Sequence, residues 1–486
     1  MLRGIWLALV GLCALRAQTL NCVVLAHVEK FPGAIAPAHN YAGIWGMVGS
    51  DGHEYALVAA RTGTIVYDCQ NPTLPVEVAF IPGPAPASGP FFWREVRSLG
   101  NYVYVTSEHG PVQVVDMTIP SNPTLVGTTA VTAHALSIDA QRKHLWLDGG
   151  AGNGSWIYDL GQSPTNPPLI SAYTVSYVHD SFVQNGWAYL SIILEGKLRI
   201  LDATNVTSLK LKSNVTTPGA FTHSAWVDDE DKICVTTDEN KGGCLAVYDV
   251  TNKSAPVLRS TWCSPTTPPA TLHYQFLRDK IVHMASYSDG YWAVDVSNPA
   301  NPRPIAHYDT SQLTGNEYVG AWGCYPFQPS GVVYISDMQS GFWILKPLCG
   351  VPYLYGNATP GQGGFSPRIE HLGGPSQVGN ATFTLHGRQM RPAAMAALLV
   401  GAYPTSVPVL GVDVLVDLLQ PSLALSVATS GTSGAAGTGA ASLPIPLPNS
   451  PSLAGLTFYT QWIVADPSAP GGVLSGSKGM SLTICP

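Results

Sequence analysis

Apolar and polar positions alternate along most of the first 350 residues, in runs of four to eight broken by Gly, Asn, Asp or Pro. In "SYVHDSFVQNGWAYLS" (176–191) one alternating run leads into the turn pair Asn185-Gly186 and a second run follows. Period-two alternation between turn signals predicts consecutive antiparallel strands rather than helices. A larger period lies over the smaller one. An alternating strand ending in Asp, often followed by Asn-Pro, recurs as "TIVYDCQNPTLPVEV", "VQVVDMTIPSNPTLVG", "SWIYDLGQSPTNPPLIS", "LRILDATNVTSLKL", "LAVYDVTNKSAPVLRS" and "YWAVDVSNPANPRPIAHY". The aspartates are Asp68, Asp116, Asp159, Asp202, Asp249 and Asp295, and "GFWILKPL" is a seventh copy with Lys346 in the Asp position. A repeat of about 40–50 residues holding four strands is the unit of a β-propeller. Seven copies predict seven blades. The aspartates are expected to cap the turns that follow them rather than to bind calcium.

The last copy has only three strands, and "NCVVLAHVEKF" (21–31) resembles the fourth strand of the others. The N-terminal strand is therefore expected to complete the seventh blade and remove an open sheet edge. This pairing brings Cys22 near Cys349 and predicts a disulfide between them. Hairpin register likewise pairs Cys244 with Cys263. After Gly350 the pattern changes: 350–375 reads as a linker and 376–486 as a small β-sandwich with "TSGTSGAAGTGAAS" as a flexible loop. From Gly401 onward the only charged residues are Asp413, Asp417, Asp466 and Lys478. The expected fold class is all-β: a seven-bladed β-propeller over 18–349 followed by a C-terminal β-sandwich.

Composition narrows the function. Charged residues are 11% of the 486, against about 25% in ordinary soluble domains, and Gly and Pro number 49 and 40. A net charge of -7 offers no long-range attraction for nucleic acid. "MLRGIWLALVGLCALRAQT" has the layout of a cleavable export signal ending at Ala17, and no later stretch reads as a transmembrane helix. The mature chain is expected to be a secreted or cell-surface monomer.

The repeats resemble those of LVIVD-repeat propellers. The wider pattern, through "GIWGMV", "WREVRSLGNYVYVTSE", "AHALSID", "YVHDSFV", "FTHSAWV", "LHYQFL" and "GAWGCYPFQPSGVVYISDMQSGFWIL", is similar to the bacterial choice-of-anchor B family. The resemblance implies an exported or surface-displayed propeller whose C-terminal sorting device varies among members. It implies no particular activity.

Candidate chemistry gathers at one repeat position. His134, His179, His223 and His273 each stand where the innermost strand begins, with Arg94 there in the second repeat and the Trp45 and Trp322 segments in the first and seventh. Innermost strands line a propeller's channel, so these positions are expected to meet at one mouth. The turn between the second and third strands lies on the same face and carries Glu108, Asp148, Asp238, Glu239, Asp289 and Asp337. One reading makes the histidines structural ties between blades. Another makes Arg94, Glu108 and the four histidines a ligand site, with the histidines holding a divalent metal such as Zn, Mn or Fe. His179 and Asp180 are neighbours on a strand and point to opposite faces, which argues against a dyad. Trp45, Trp93 and Trp322 read as packing between blades, or as an aromatic rim for a sugar. His53-Glu54 lacks the second histidine of HExxH, and no GxSxG elbow, P-loop or GxGxxG fingerprint is present. Two functions remain from the residues alone: a binding module for an extracellular ligand or protein, or a metal-dependent hydrolase working through the histidine and carboxylate face.

Overall fold

The computed structural model describes residues 19–84, 92–150 and 153–486. The export signal expected over 1–17 lies outside the described residues. Secondary structure among them is strand and turn, with three short 3-10 segments. No helix there is long and apolar enough to cross a membrane.

The described residues between 22 and 347 form seven successive four-stranded antiparallel sheets, numbered here one to seven in chain order. Their first strands are Tyr41–Val48, Val96–Leu99, Ala135–Asp139, Asp180–Gln184, Thr222–Val227, Gln275–Arg278 and Ala321–Tyr325. Each first strand touches the next, and that of sheet seven touches that of sheet one, so the contacts close into a cycle. Burial follows position in the sheet. The second strand of sheet one, "EYALVAA", is buried at every residue, whereas fourth strands such as Leu169–Tyr173 stay half exposed. An inner strand is flanked by neighbouring sheets on both faces and reads as continuous apolar sequence, while an outer strand meets water and alternates. This is a propeller-like arrangement.

A bulge recurs between the third and fourth strands of every sheet. In sheets one to six the register skips one fourth-strand residue: Val78, Val126, Ile170, Lys212, Arg259 and Ile305. Sheet seven takes its fourth strand, Cys22–Val28, from the N-terminal end, as expected, and skips Leu25 in the same way. A bulge increases local twist, so repeating it fans each sheet alike. Thr19–Leu20 adds a fifth strand to sheet six, beside Arg303–Tyr308. The six repeat aspartates cap their turns as predicted. Each Oδ1 accepts the backbone N–H two residues on, at 2.8 Å for Asp68, Asp116, Asp159 and Asp295, 3.1 Å for Asp202 and 3.0 Å for Asp249.

Cys244 and Cys263 are bonded, flanking the paired residues Leu245 and Trp262. The expected Cys22–Cys349 bond is not formed. Cys349 bonds Cys485 instead, and Cys22 is a buried free thiol. Cys22 turns into the apolar core between sheets six and seven, beside Tyr291 and Leu345. Cys349, by contrast, lies beyond the strand end, where Leu348 N–H donates to the Asn21 carbonyl and Gly350 adopts φ +76°.

The stretch 350–375, read from sequence as a linker, supplies two strands. Tyr353–Tyr355 pairs with Gly479–Thr483, and Arg368–Leu372 pairs with Thr384–Met390. Its Gly and Pro residues fall at the turns between them. The last four residues of the Gly/Ser/Ala stretch also open a strand, Gly439–Pro444, against Thr384–Met390. These strands and a larger sheet share one core around Phe383, Leu385, Leu398, Trp462 and Leu482. The C-terminal segment packs under sheets five and six, on the face opposite the start of the first strands. There Lys280 meets Asp228 at 2.5 Å and Glu370 at 3.7 Å, and His371 meets Asp295 at 2.7 Å with both side chains fully buried.

Candidate functional site

The four repeat histidines do converge. Their rings follow one another around the mouth, with centroids 4.4 Å apart from His134 to His179, 4.4 Å from His179 to His223 and 4.3 Å from His223 to His273. Trp322 continues the series 4.1 Å from His273, and Trp93 stacks on Trp322 at 4.8 Å and 9°. The belt encloses a cavity of about 430 Å³, lined also by Phe221, Glu239, Tyr287, Tyr318 and Met338. About ten ångström further along the same first strands, at about 3.3 Å per residue, a second layer fills the axis. There the Arg97 guanidinium lies 4.6 Å over Trp45 and donates to the Tyr274 hydroxyl at 2.5 Å, beside Phe276 and Trp226. The mouth is thus a cup with a packed floor.

Backbone contacts fix how the imidazoles face. His179 Nδ1 donates to the carbonyl of His223 at 3.0 Å, and His273 Nδ1 to the carbonyl of Trp322 at 2.5 Å. His223 Nδ1 faces the His273 carbonyl in the same sense but short of a full hydrogen bond. A carbonyl only accepts, so each Nδ1 carries the proton and each neutral ring keeps its Nε2 lone pair. Burial, reinforced by the neighbouring imidazoles, holds His179 and His223 well below the ordinary histidine range, and burial takes His273 down to about 3. His134 is different. Burial opposes its charge, but Glu108 Oε1 at 2.7 Å from Nδ1 outweighs that and its pKa is raised.

Glu239 faces these lone pairs. Its Oε2 lies 3.6 Å from His223 Nε2 and its Oε1 3.8 Å from His273 Nε2, and the Tyr287 hydroxyl donates to Oε1 at 2.5 Å. Burial lifts the Glu239 carboxyl to about 7 despite that hydrogen bond. Among the described residues no lysine or arginine lines the cavity.

The sequence-predicted residues divide accordingly. His134, His179, His223 and His273 line the cup, and Glu108 joins through His134. Arg94 does not. It is buried, directs Nη2 to the Pro84 carbonyl at 2.5 Å, and burial lowers its pKa to about 10. Of the turn carboxylates only Glu108 and Glu239 reach the site. Asp148 accepts from Ser155 and Ser181, Asp238 from Thr217 and two backbone N–H groups, Asp289 from Ser264 and Trp292, and Asp337 from Thr310 and two backbone N–H groups. Asp180 caps Ser181 N–H, so His179 and Asp180 form no dyad. Phe221, Tyr287, Tyr318 and Met338 were not legible as site residues, since single aromatic or methionine side chains outside the repeat positions carry no repeat signal. Trp45 belongs to the floor, with Nε1 donating to Ser98 Oγ at 2.9 Å.

The LVIVD repeat family model matches residues 94–131 and 285–310, which lie in sheets two and six and their margins. None of the curated proteins compared with the chain matches it. The two matched segments fall on the same recurring four-stranded unit that builds the other sheets, so LVIVD-type repeats are embedded in a β-propeller-like, all-β arrangement.

Proposed function

We propose that the protein is an exported binding module: a seven-bladed propeller over 18–349 with a C-terminal β-sandwich over 376–486. It acts as a monomer at or beyond the cell surface and takes a small extracellular ligand at the mouth of the channel. The closed cycle of first strands supports the blade count, and the shared core after Gly350 supports the sandwich. The cleavable-signal layout of residues 1–17 and the two disulfides are compatible with export. The wider likeness to the choice-of-anchor B family adds a role for the C-terminal segment in retention at the surface.

One observation carries the functional reading. The cup is concave, mostly aromatic and floored, with a few convergent polar groups, which is the usual make-up of a small-molecule site. It also lies on the face away from the C-terminal segment and so stays open. The hydrolase alternative has no observation of its own to favour it. Ligand-observed NMR against a library of aromatic, amine and sugar fragments tests the proposal. Hits that compete with one another and vanish in Trp322→Ala are expected. A library with no hits, or hits indifferent to Trp322→Ala, would count against it.

A further inference from the structure

Resting on that reading of the mouth as a binding site, we propose that His179, His223 and Glu239 hold a divalent metal ion of the zinc type, with His273 as a fourth donor. One ligand atom from each of the first three lies within 4.8 Å of the others. Glu239 oxygens approach His223 and His273 Nε2 at 3.6 and 3.8 Å. Donors around a tetrahedral ion with bonds of about 2.0–2.1 Å stand about 3.4 Å apart. A modest inward rotation of side chains therefore closes the set.

The surroundings support this beyond the cluster itself. A metal-binding imidazole usually donates its other N–H to a carbonyl or carboxylate, which fixes the tautomer and aims the lone pair. His179 and His273 do so, to the backbone of the next sheet. His273 Nε2 is a buried polar atom without a hydrogen-bond partner, aimed into the cup. The Tyr287 hydroxyl buttresses Glu239 as an outer partner would. Imidazoles with one carboxylate suit Zn²⁺ and its neighbours rather than Ca²⁺ or Mg²⁺, which prefer all-oxygen sets. The ion would sit in the cup wall with one side open to the cavity, where a small oxygen or nitrogen donor could complete its coordination.

Titrating the full mature chain, freed of metal with a chelator, with Co²⁺ and then Zn²⁺ tests the inference. One equivalent of Co²⁺ with an intense visible spectrum, displaced by one equivalent of Zn²⁺, is expected. His179→Asn and His223→Asn place an amide N–H where Nδ1 stood and remove Nε2; at His179 this keeps the hydrogen bond to the next sheet, and at His223 no full bond is lost. Both variants should melt near wild type and bind Co²⁺ about 100-fold or more weakly, and Glu239→Gln should weaken binding by at least about 10-fold. Wild-type protein that takes up no stoichiometric Co²⁺ or Zn²⁺ at micromolar concentration overturns the inference. So does undiminished binding in folded His179→Asn and His223→Asn. Fragments that still bind metal-free protein in a Trp322-dependent way would leave the cup standing while the metal falls.

Discussion

Asp148 and Glu239 come from equivalent turns but differ in reach. Aspartate stays close to its own backbone, so Asp148 is enclosed by the hydroxyls of Ser155 and Ser181. Glu239, further into its turn, arrives at the imidazoles. Glu239 stands two residues past Thr237, the register counterpart of Asp148, so repeat register located the face, while the place of each carboxylate within its turn decided which ones serve the mouth. Burial raises the Asp148 carboxyl from 3.8 to about 6. A carboxyl raised on folding contributes stability that is complete below pH 3.8 and is lost as pH climbs to 6. The loss amounts to about 3 kcal/mol at most. Asp148→Asn, free of that penalty, is expected to gain in melting temperature relative to wild type between pH 4 and pH 8. Parallel melts at the two pH values give the comparison, and an unchanged gap would refute it. At the turns on the other face, Asp249→Ala removes one backbone cap and should lower unfolding free energy by about 1 kcal/mol, measured by urea titration.

At the scale of strands and sheets, short apolar runs between turn signals located the inner strands, whose two faces are both buried. The borrowed strand Cys22–Val28 was legible for a different reason: its sequence matches the other fourth strands down to the position that bulges. The disulfide was misread at this scale. Pairing sets which backbones are neighbours, but Cys22 points inward, and Cys349 lies past the turn that carries it to Cys485. The 350–375 stretch was misread because its strands are short and set among Gly and Pro, and because the first of them, Tyr353–Tyr355, pairs with a partner more than a hundred residues away, beyond any local signal. A chain lacking residues 19–28 leaves Gly341–Pro347 as an open edge and uncovers part of two core clusters. It is expected to lose several kcal/mol of stability and to aggregate on warming. Calorimetry with light scattering reports both, and a melting point within a few degrees of the full chain would contradict the closing role.

For the molecule as a whole, the C-terminal segment is held by buried charge as well as by a covalent bond. Lys280 is almost fully buried and serves Asp228, Glu230 and Glu370 together. Removing it strands carboxylates in a dry interface, so Lys280→Met should destabilise by about 3–5 kcal/mol, read from chemical denaturation. Replacing both Cys349 and Cys485 by serine opens a loop of 136 residues without touching that network. Loop-closure entropy sets a ceiling of about 5 kcal/mol on the loss, and the C-terminal core is expected to melt in a separate, earlier transition. None of this docking could be read from sequence, because Asp228, Lys280 and Glu370 look like ordinary surface charges until the chain folds them together.

The belt of imidazoles has a direction. His179 leans on sheet five, His223 on sheet six and His273 on sheet seven, where the last carbonyl belongs to Trp322. Sheet seven is the one completed by residues from the far end of the chain. The aim of these three lone pairs is thereby hung from a seam, and loosening that seam would misalign the mouth before the rest of the molecule began to melt.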